Sequence, residues 1–152
     1  MTAFTKIRII PPVYFLAALI AMAGLHYTLP GVQLIGSPIR YLGALPVVAG
    51  FIYALWAALL FRRTGTTIKP FNESSALIVA GPYRMSRNPI YLSMAVILLG
   101  AGILLGSATP FAVIPVFAVL IQWRVILWEE SALEEKFGQS YRDYRMKIRR
   151  WL

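Results

Sequence analysis

Apolar residues gather in four runs along this chain, at about 13–29, 41–61, 90–105 and 111–127. The first three contain no Asp, Glu, Lys or Arg, and the fourth holds only Arg124. An α-helix needs ~20 residues to cross ~30 Å of hydrocarbon, and the shorter runs would need flanking anchors or local thinning of the bilayer. The pattern predicts an all-α integral membrane bundle of about four transmembrane helices, forming a single domain over residues 1–152. The connection at 106–110 is short enough to make the third and fourth runs a helical hairpin. Polar residues collect in the connection 62–89 and in the tail 128–152. In the tail, Trp128, Leu133, Phe137, Tyr141 and Tyr144 recur at three- and four-residue spacing, which predicts an amphipathic C-terminal helix. Such a helix lies in the interface or docks over the mouth of the bundle, with a break or kink at Gly138.

Composition agrees with this pattern. Of 152 residues, 59% are hydrophobic and 14% charged, against about 25% charged in soluble domains. Lys6 and Arg8 before the first run, with Ala21-Met22-Ala23 inside it, resemble a signal peptide. Pro11-Pro12 interrupts that reading and hydrophobicity continues past Ala23, which favours a retained membrane helix. The absence of cysteine excludes disulfides, thiolate metal sites, Cys nucleophiles and lipidation at cysteine. His26, the single histidine, argues against a His-based metal site and reads as a structural residue near the outer interface.

The net charge of +9 is unevenly placed. Lys6, Arg8, Arg62, Arg63, Lys69, Arg84, Arg87 and the basic residues from Arg124 to Arg150 fall on one side, and Arg40 alone falls on the other. The positive-inside bias then puts both termini in the cytosol. The excess basicity is a topology signal and an attraction to anionic headgroups; no aromatic–basic module for nucleic acid is present. The expected location is a bacterial inner membrane, with the active site on the cytosolic face.

Two polar constellations stand at the ends of apolar helices. The segment Gly81-Pro82-Tyr83-Arg84-Met85-Ser86-Arg87-Asn88-Pro89-Ile90-Tyr91 begins as a turn. It then reads as a helix start, with Asn88 as N-cap and Pro89 in the first helical position. It is either a well-made loop and cap or, because free N–H groups at a helix N-terminus attract anions, a seat for a carboxylate or phosphate beside Arg84 and Arg87. Glu129 and Glu130 stand at the expected end of the fourth helix, where its dipole disfavours negative charge. Either the helix continues and nearby bases neutralise them, or they face inward and receive a cation. Arg124 either snorkels to the headgroups or points toward an anionic substrate. Together these pieces describe a zwitterionic ligand at the membrane surface, and S-adenosylmethionine fits it.

The ordered set Gly81-Pro82-Tyr83-Arg84, Arg87-Asn88-Pro89, Tyr91, Glu129-Glu130 with Leu133, and Phe137-Gly138 with Tyr141 and Tyr144 resembles the isoprenylcysteine carboxyl methyltransferase family. The likeness extends to the related membrane phospholipid N-methyltransferases and covers about residues 62–152. It implies an S-adenosylmethionine-dependent methyltransferase without a Rossmann domain. Its cofactor site carries over to Leu77, Ile78, Tyr83, Asn88, Pro89, Ile90, Tyr91, Glu129 and Glu130, with Arg87 beside them. Eukaryotic members usually have histidine at the position of Asn88, which keeps a hydrogen-bonding side chain but takes no proton. Ser75 stands at a second cofactor-contacting histidine of those members. The family's substrate-facing arginine falls at Val125, so that role passes to the neighbouring Arg124 as the candidate catalytic residue.

Methyl transfer from a sulfonium is an in-line displacement, so positioning and electrostatics supply the catalysis. A lipophilic acceptor would enter from the bilayer. The absence of an evident general base favours carboxyl O-methylation or S-methylation, with phospholipid or lipid-amine N-methylation as the alternative. A non-catalytic scaffold or transporter subunit is the reading from another class. A transporter would place polar groups near the bilayer midplane, where these runs have almost none.

Overall fold

The computed structural model describes residues 10–63 and 77–152, and every regular element among them is helical. Six α-helices follow in order: α1 (Pro11–Thr28), α2 (Ala44–Arg63), α3 (Pro89–Leu105), α4 (Val113–Ile121), α5 (Leu127–Phe137) and α6 (Gln139–Lys147). Short 3-10 turns lead into α2 and α4, and a third covers Gly81–Arg84. Pro11 and Pro89 occupy first-turn positions, where their missing N–H groups cost nothing.

Pro11–Thr28, Ile39–Leu60 and Thr109–Phe137 are long and apolar enough to cross a membrane, and Pro89–Leu105 is a shorter apolar helix. The all-α membrane bundle expected from the four runs is present. The fourth run departs from expectation at its end. It does not stop near residue 127: α4 passes through a π-helical turn (Gln122–Ile126) directly into α5. At 1.5 Å per residue the 29 residues of Thr109–Phe137 extend about 43 Å, beyond the ~30 Å hydrocarbon layer. The charged end of this helix therefore projects past the apolar layer. Glu129 and Glu130 lie inside a continuous helix, and the expected conflict with a terminal dipole does not arise. The chain breaks at Gly138, where φ is +52°, and α6 turns back across the bundle end.

Small residues set the closest packing. A Cβ on Gly43 would lie 2.6 Å from the Gly100 carbonyl oxygen, and one on Gly100 equally close to that of Gly43. Only hydrogen fits between these backbones, so the start of α2 lies directly on α3, as expected where lipid supplies no hydrophobic drive for helix association. The main core joins Ala18 and Met22 of α1, Tyr91 and Leu98 of α3, Phe117 and Ile121 of α4, and Val125 and Ile126 of the π turn. Met22, in the sequence that resembles a cleavage site, is fully buried, so α1 is integral to this core. Leu16, Ile20, Phe51, Leu55, Val116 and Val119 point outward, as a lipid-facing surface requires.

The bundle end away from the basic residues is tied by polar contacts. His26 Nδ1 lies 2.7 Å from the buried Ser107 hydroxyl. The backbone N–H groups of Leu34 and Ile35 both donate to the Gly106 carbonyl. His26 is therefore engaged in structure at that end.

Candidate active site

The opposite end gathers the polar elements onto the start of α3. Leu77 is half-buried there, and Ile78 packs with Ala57 and Tyr83, against which Ile90 rests. Ser75 lies outside the described residues. In the 3-10 turn Gly81–Arg84, Pro82 and Tyr83 are buried and Arg84 is exposed. Tyr53 of α2 donates to the Pro82 carbonyl at 3.2 Å, and Tyr144 of α6 donates to the Tyr83 carbonyl at 2.6 Å. Burial, with Tyr141 alongside, raises the Tyr144 phenol above its ordinary range, so it remains a donor. The aromatic stripe of the tail is thus docked over the turn, with Tyr141 and Tyr144 as its buried members.

Asn88 precedes Pro89 as expected, but its side chain does not cap α3. Asn88 Nδ2 instead donates to the Arg150 carbonyl at 3.1 Å. Ser86, fully buried, donates to the same carbonyl at 3.2 Å and accepts the Asn88 backbone N–H at 3.1 Å. The Arg87 backbone N–H donates to the Arg149 carbonyl at 3.0 Å. The physical reason is orientation: turning the amide NH2 toward the carbonyl of the returning chain fixes the side chain in a rotamer that does not cap the helix. Residues 148–151 therefore form a strap laid along the turn. Its far side is held by Trp151 Nε1, which donates to Gln122 Oε1 of the π turn at 3.0 Å.

The acid pair divides. Glu130 is buried and meets two arginines: Arg87 Nη1 at 2.9 Å, and Arg150 through Nε at 3.0 Å and Nη2 at 2.7 Å. The neutralising bases are arginines of the turn and the strap. Glu129 takes the Tyr91 hydroxyl at 2.9 Å, and among the described residues no cation pairs with it. Arg87 Nη1 also reaches the Tyr141 oxygen at 3.5 Å. Arg87 Nε is buried, and no described residue accepts its proton.

Sequence reasoning thus named Tyr83, Arg87, Asn88, Pro89, Tyr91, Glu129 and Glu130, which the structure brings to one place. Arg124 stands apart, exposed on the π turn while its neighbour Val125 is buried. Arg150, Ser86, Trp151 and Gln122 were not singled out. The only signal for Arg150 was its place in a basic tail, and for Ser86 its position between the two arginines of the turn.

The arrangement offers two charge environments side by side. Two guanidiniums around one carboxylate leave an excess of positive charge at Glu130, and Glu129 next to it is a carboxylate that pairs with no cation among the described residues. Such a site matches a ligand carrying both signs of charge.

A profile of the phospholipid methyltransferase family matches residues 39–140. That is more than half of the chain, and the chain belongs to this family. Its fold and family make it a membrane methyltransferase. A Haemophilus influenzae protein described only as uncharacterized is 41% identical over 63 residues, which are 41% of this chain and the whole of that protein. No solved structure matches.

Proposed function

We propose that the chain transfers a methyl group from S-adenosylmethionine to a lipophilic acceptor drawn from the bilayer. The observation that carries this reading is the divided acid pair: Glu129 without a cation among the described residues, beside Glu130 held by Arg87 and Arg150. The residues fit the donor. The orphaned Arg87 Nε suits an acceptor from the ligand, and the Glu129 carboxylate, oriented by Tyr91, suits its positive groups. Leu77, Ile78, Tyr83, Ile90 and Tyr91 supply apolar and aromatic walls, while Asn88 and Pro89 shape the turn. When bound, S-adenosylmethionine supplies the methyl group as an electrophile on a sulfonium.

The protein's own work is electrostatic positioning in a site partly shielded from water. Exposed Arg124 on the π turn is the candidate for meeting an anionic acceptor from the lipid side. His26 is bonded to Ser107 beyond the far end of α3, about 25 Å of helix away, so the one histidine cannot serve as base. A carboxylate or thiolate acceptor needs no base, which favours O- or S-methylation of the isoprenylcysteine carboxyl methyltransferase kind. One feature favours lipid-amine N-methylation as the second reading: the Glu129–Tyr91 pair has no cation among the described residues and can take a proton from an ammonium. The charge pattern supports a cytosolic site and cytosolic termini, and a bacterial inner membrane is the location that goes with this reading.

The purified protein, incubated with methyl-labelled S-adenosylmethionine and fractionated membrane lipids, should label one lipid class. Base-labile label marks an ester, and base-stable label on an amine-bearing lipid marks the second reading. Absence of donor binding by calorimetry would leave the scaffold interpretation.

A further inference from the structure

We propose that Arg150 receives the carboxylate of the methyl donor, so that the C-terminal strap forms part of the donor site. The inference rests on the S-adenosylmethionine reading above and adds a residue to it. Arg150 directs Nε and Nη2 at Glu130, and its Nη1 bonds to no described residue. Its side chain is 26% exposed, whereas those of Arg87 and Glu130 are 9% and 8% exposed. Of the three charged groups in the cluster, Arg150 is therefore the most open to a ligand. The buried Arg87 Nε, which lacks an acceptor, belongs to the same cluster. Two guanidiniums against one carboxylate leave a positive charge that no other described carboxylate pairs with.

The backbone fixes this guanidinium. The Arg150 carbonyl accepts from both Ser86 and Asn88, Arg149 accepts from the Arg87 N–H, and Trp151 is held by Gln122. A donor group fixed before the ligand arrives loses little entropy on binding, and a planar guanidinium fork matches a carboxylate. An α-amino acid carries its ammonium and carboxylate on one carbon. Its receptor must offer both charges to one ligand, and Glu129 and the arginine-bound Glu130 are successive residues of one helix.

The test compares S-adenosylmethionine with its decarboxylated analogue, which lacks only the carboxylate, by calorimetry on the full chain in nanodiscs. Arg150→Gln should lower affinity for S-adenosylmethionine about tenfold or more while leaving the analogue within about twofold. Equal loss for both ligands, which a merely structural strap predicts, overturns the proposal, as does unchanged affinity for S-adenosylmethionine. If Arg150→Gln does not fold, Arg150→Lys keeps the charge and removes the fork. Its expected loss is smaller and confined to S-adenosylmethionine, and an equal loss again overturns the assignment. A wild-type protein that binds neither ligand removes the donor reading itself, whereas wild-type binding with an unselective variant removes only the role of Arg150.

Discussion

Glu129 and Glu130 are adjacent, yet Glu130 meets Arg150 through bonds of 2.7 and 3.0 Å while Glu129 takes only the Tyr91 hydroxyl at 2.9 Å among the described residues. Successive helical residues point about 100° apart, so one carboxylate faces the turn and strap while the other faces α3. One acid ties three segments together, and the other is left with a neutral partner.

This division predicts different outcomes for two isosteric changes. Glu130→Gln leaves the buried Arg87 and the half-buried Arg150 without a counter-charge and should cost about 3 kcal/mol of stability. Glu129→Gln should leave thermal stability within about 1 kcal/mol and weaken S-adenosylmethionine binding about ten- to a hundredfold. Melting curves and calorimetry on both proteins check this. Equal destabilisation by the two changes would contradict the division.

Tyr91→Phe removes the one hydrogen bond that orients the Glu129 side chain among the described residues. The carboxylate then either finds water or remains unpaired, at a cost of about 1–3 kcal/mol. Donor affinity should fall, but less than in Glu129→Gln, because the charge survives. An affinity equal to wild type would show that the phenol plays no part in placing the acid.

Asn88 distinguishes a strap contact from a cap. Asp caps helices as well as Asn, but it cannot donate to the Arg150 carbonyl as Asn88 does. Asn88→Ala and Asn88→Asp should therefore both destabilise the protein, by about 1 kcal/mol for the alanine, and both should speed trypsin cleavage after Arg149 or Arg150. Rescue by aspartate would restore the cap interpretation.

Gly100→Ala tests the close approach of α2 to α3. Its Cβ would meet the Gly43 carbonyl oxygen at 2.6 Å, and since backbone cannot move aside cheaply the expected cost is about 1–3 kcal/mol. A melting temperature within error of wild type would mean that the helices separate freely.

Single cysteines at Ser37 and Ser140, both exposed in this cysteine-free chain, should label from opposite faces of oriented membranes. Ser140 is expected on the cytosolic side. Labelling from one face would overturn the proposed topology.

Much of the bundle was legible in the sequence because burial in lipid demands long uncharged helices, and nothing local competes with that demand. The runs at 13–29, 41–61 and 90–105 became α1, α2 and α3 with small shifts at their ends. Gly138 broke the tail as expected, since a positive φ is readily available only to glycine. The turn 81–91 and the acid pair were visible as polar residues where apolar helices begin or end.

What local pattern could not carry were relations between distant segments. Whether the fourth helix ended at the acids or ran on through a π turn depended on packing at Val125 and Ile126, because a π turn has no composition of its own. Asn88 has the sequence of a cap, and only the return of residues 148–151 brought the carbonyl to which its side chain turns as a donor. Hydrophobicity is a property of each residue and its neighbours along the chain, so the sequence by itself determined the helices and the end that holds the charge. The pairing of Arg150 with Glu130, 20 positions apart, and of Tyr91 with Glu129, 38 apart, was decided by tertiary structure alone, because directional bonds between remote side chains exist only once the chain has folded to bring them within reach.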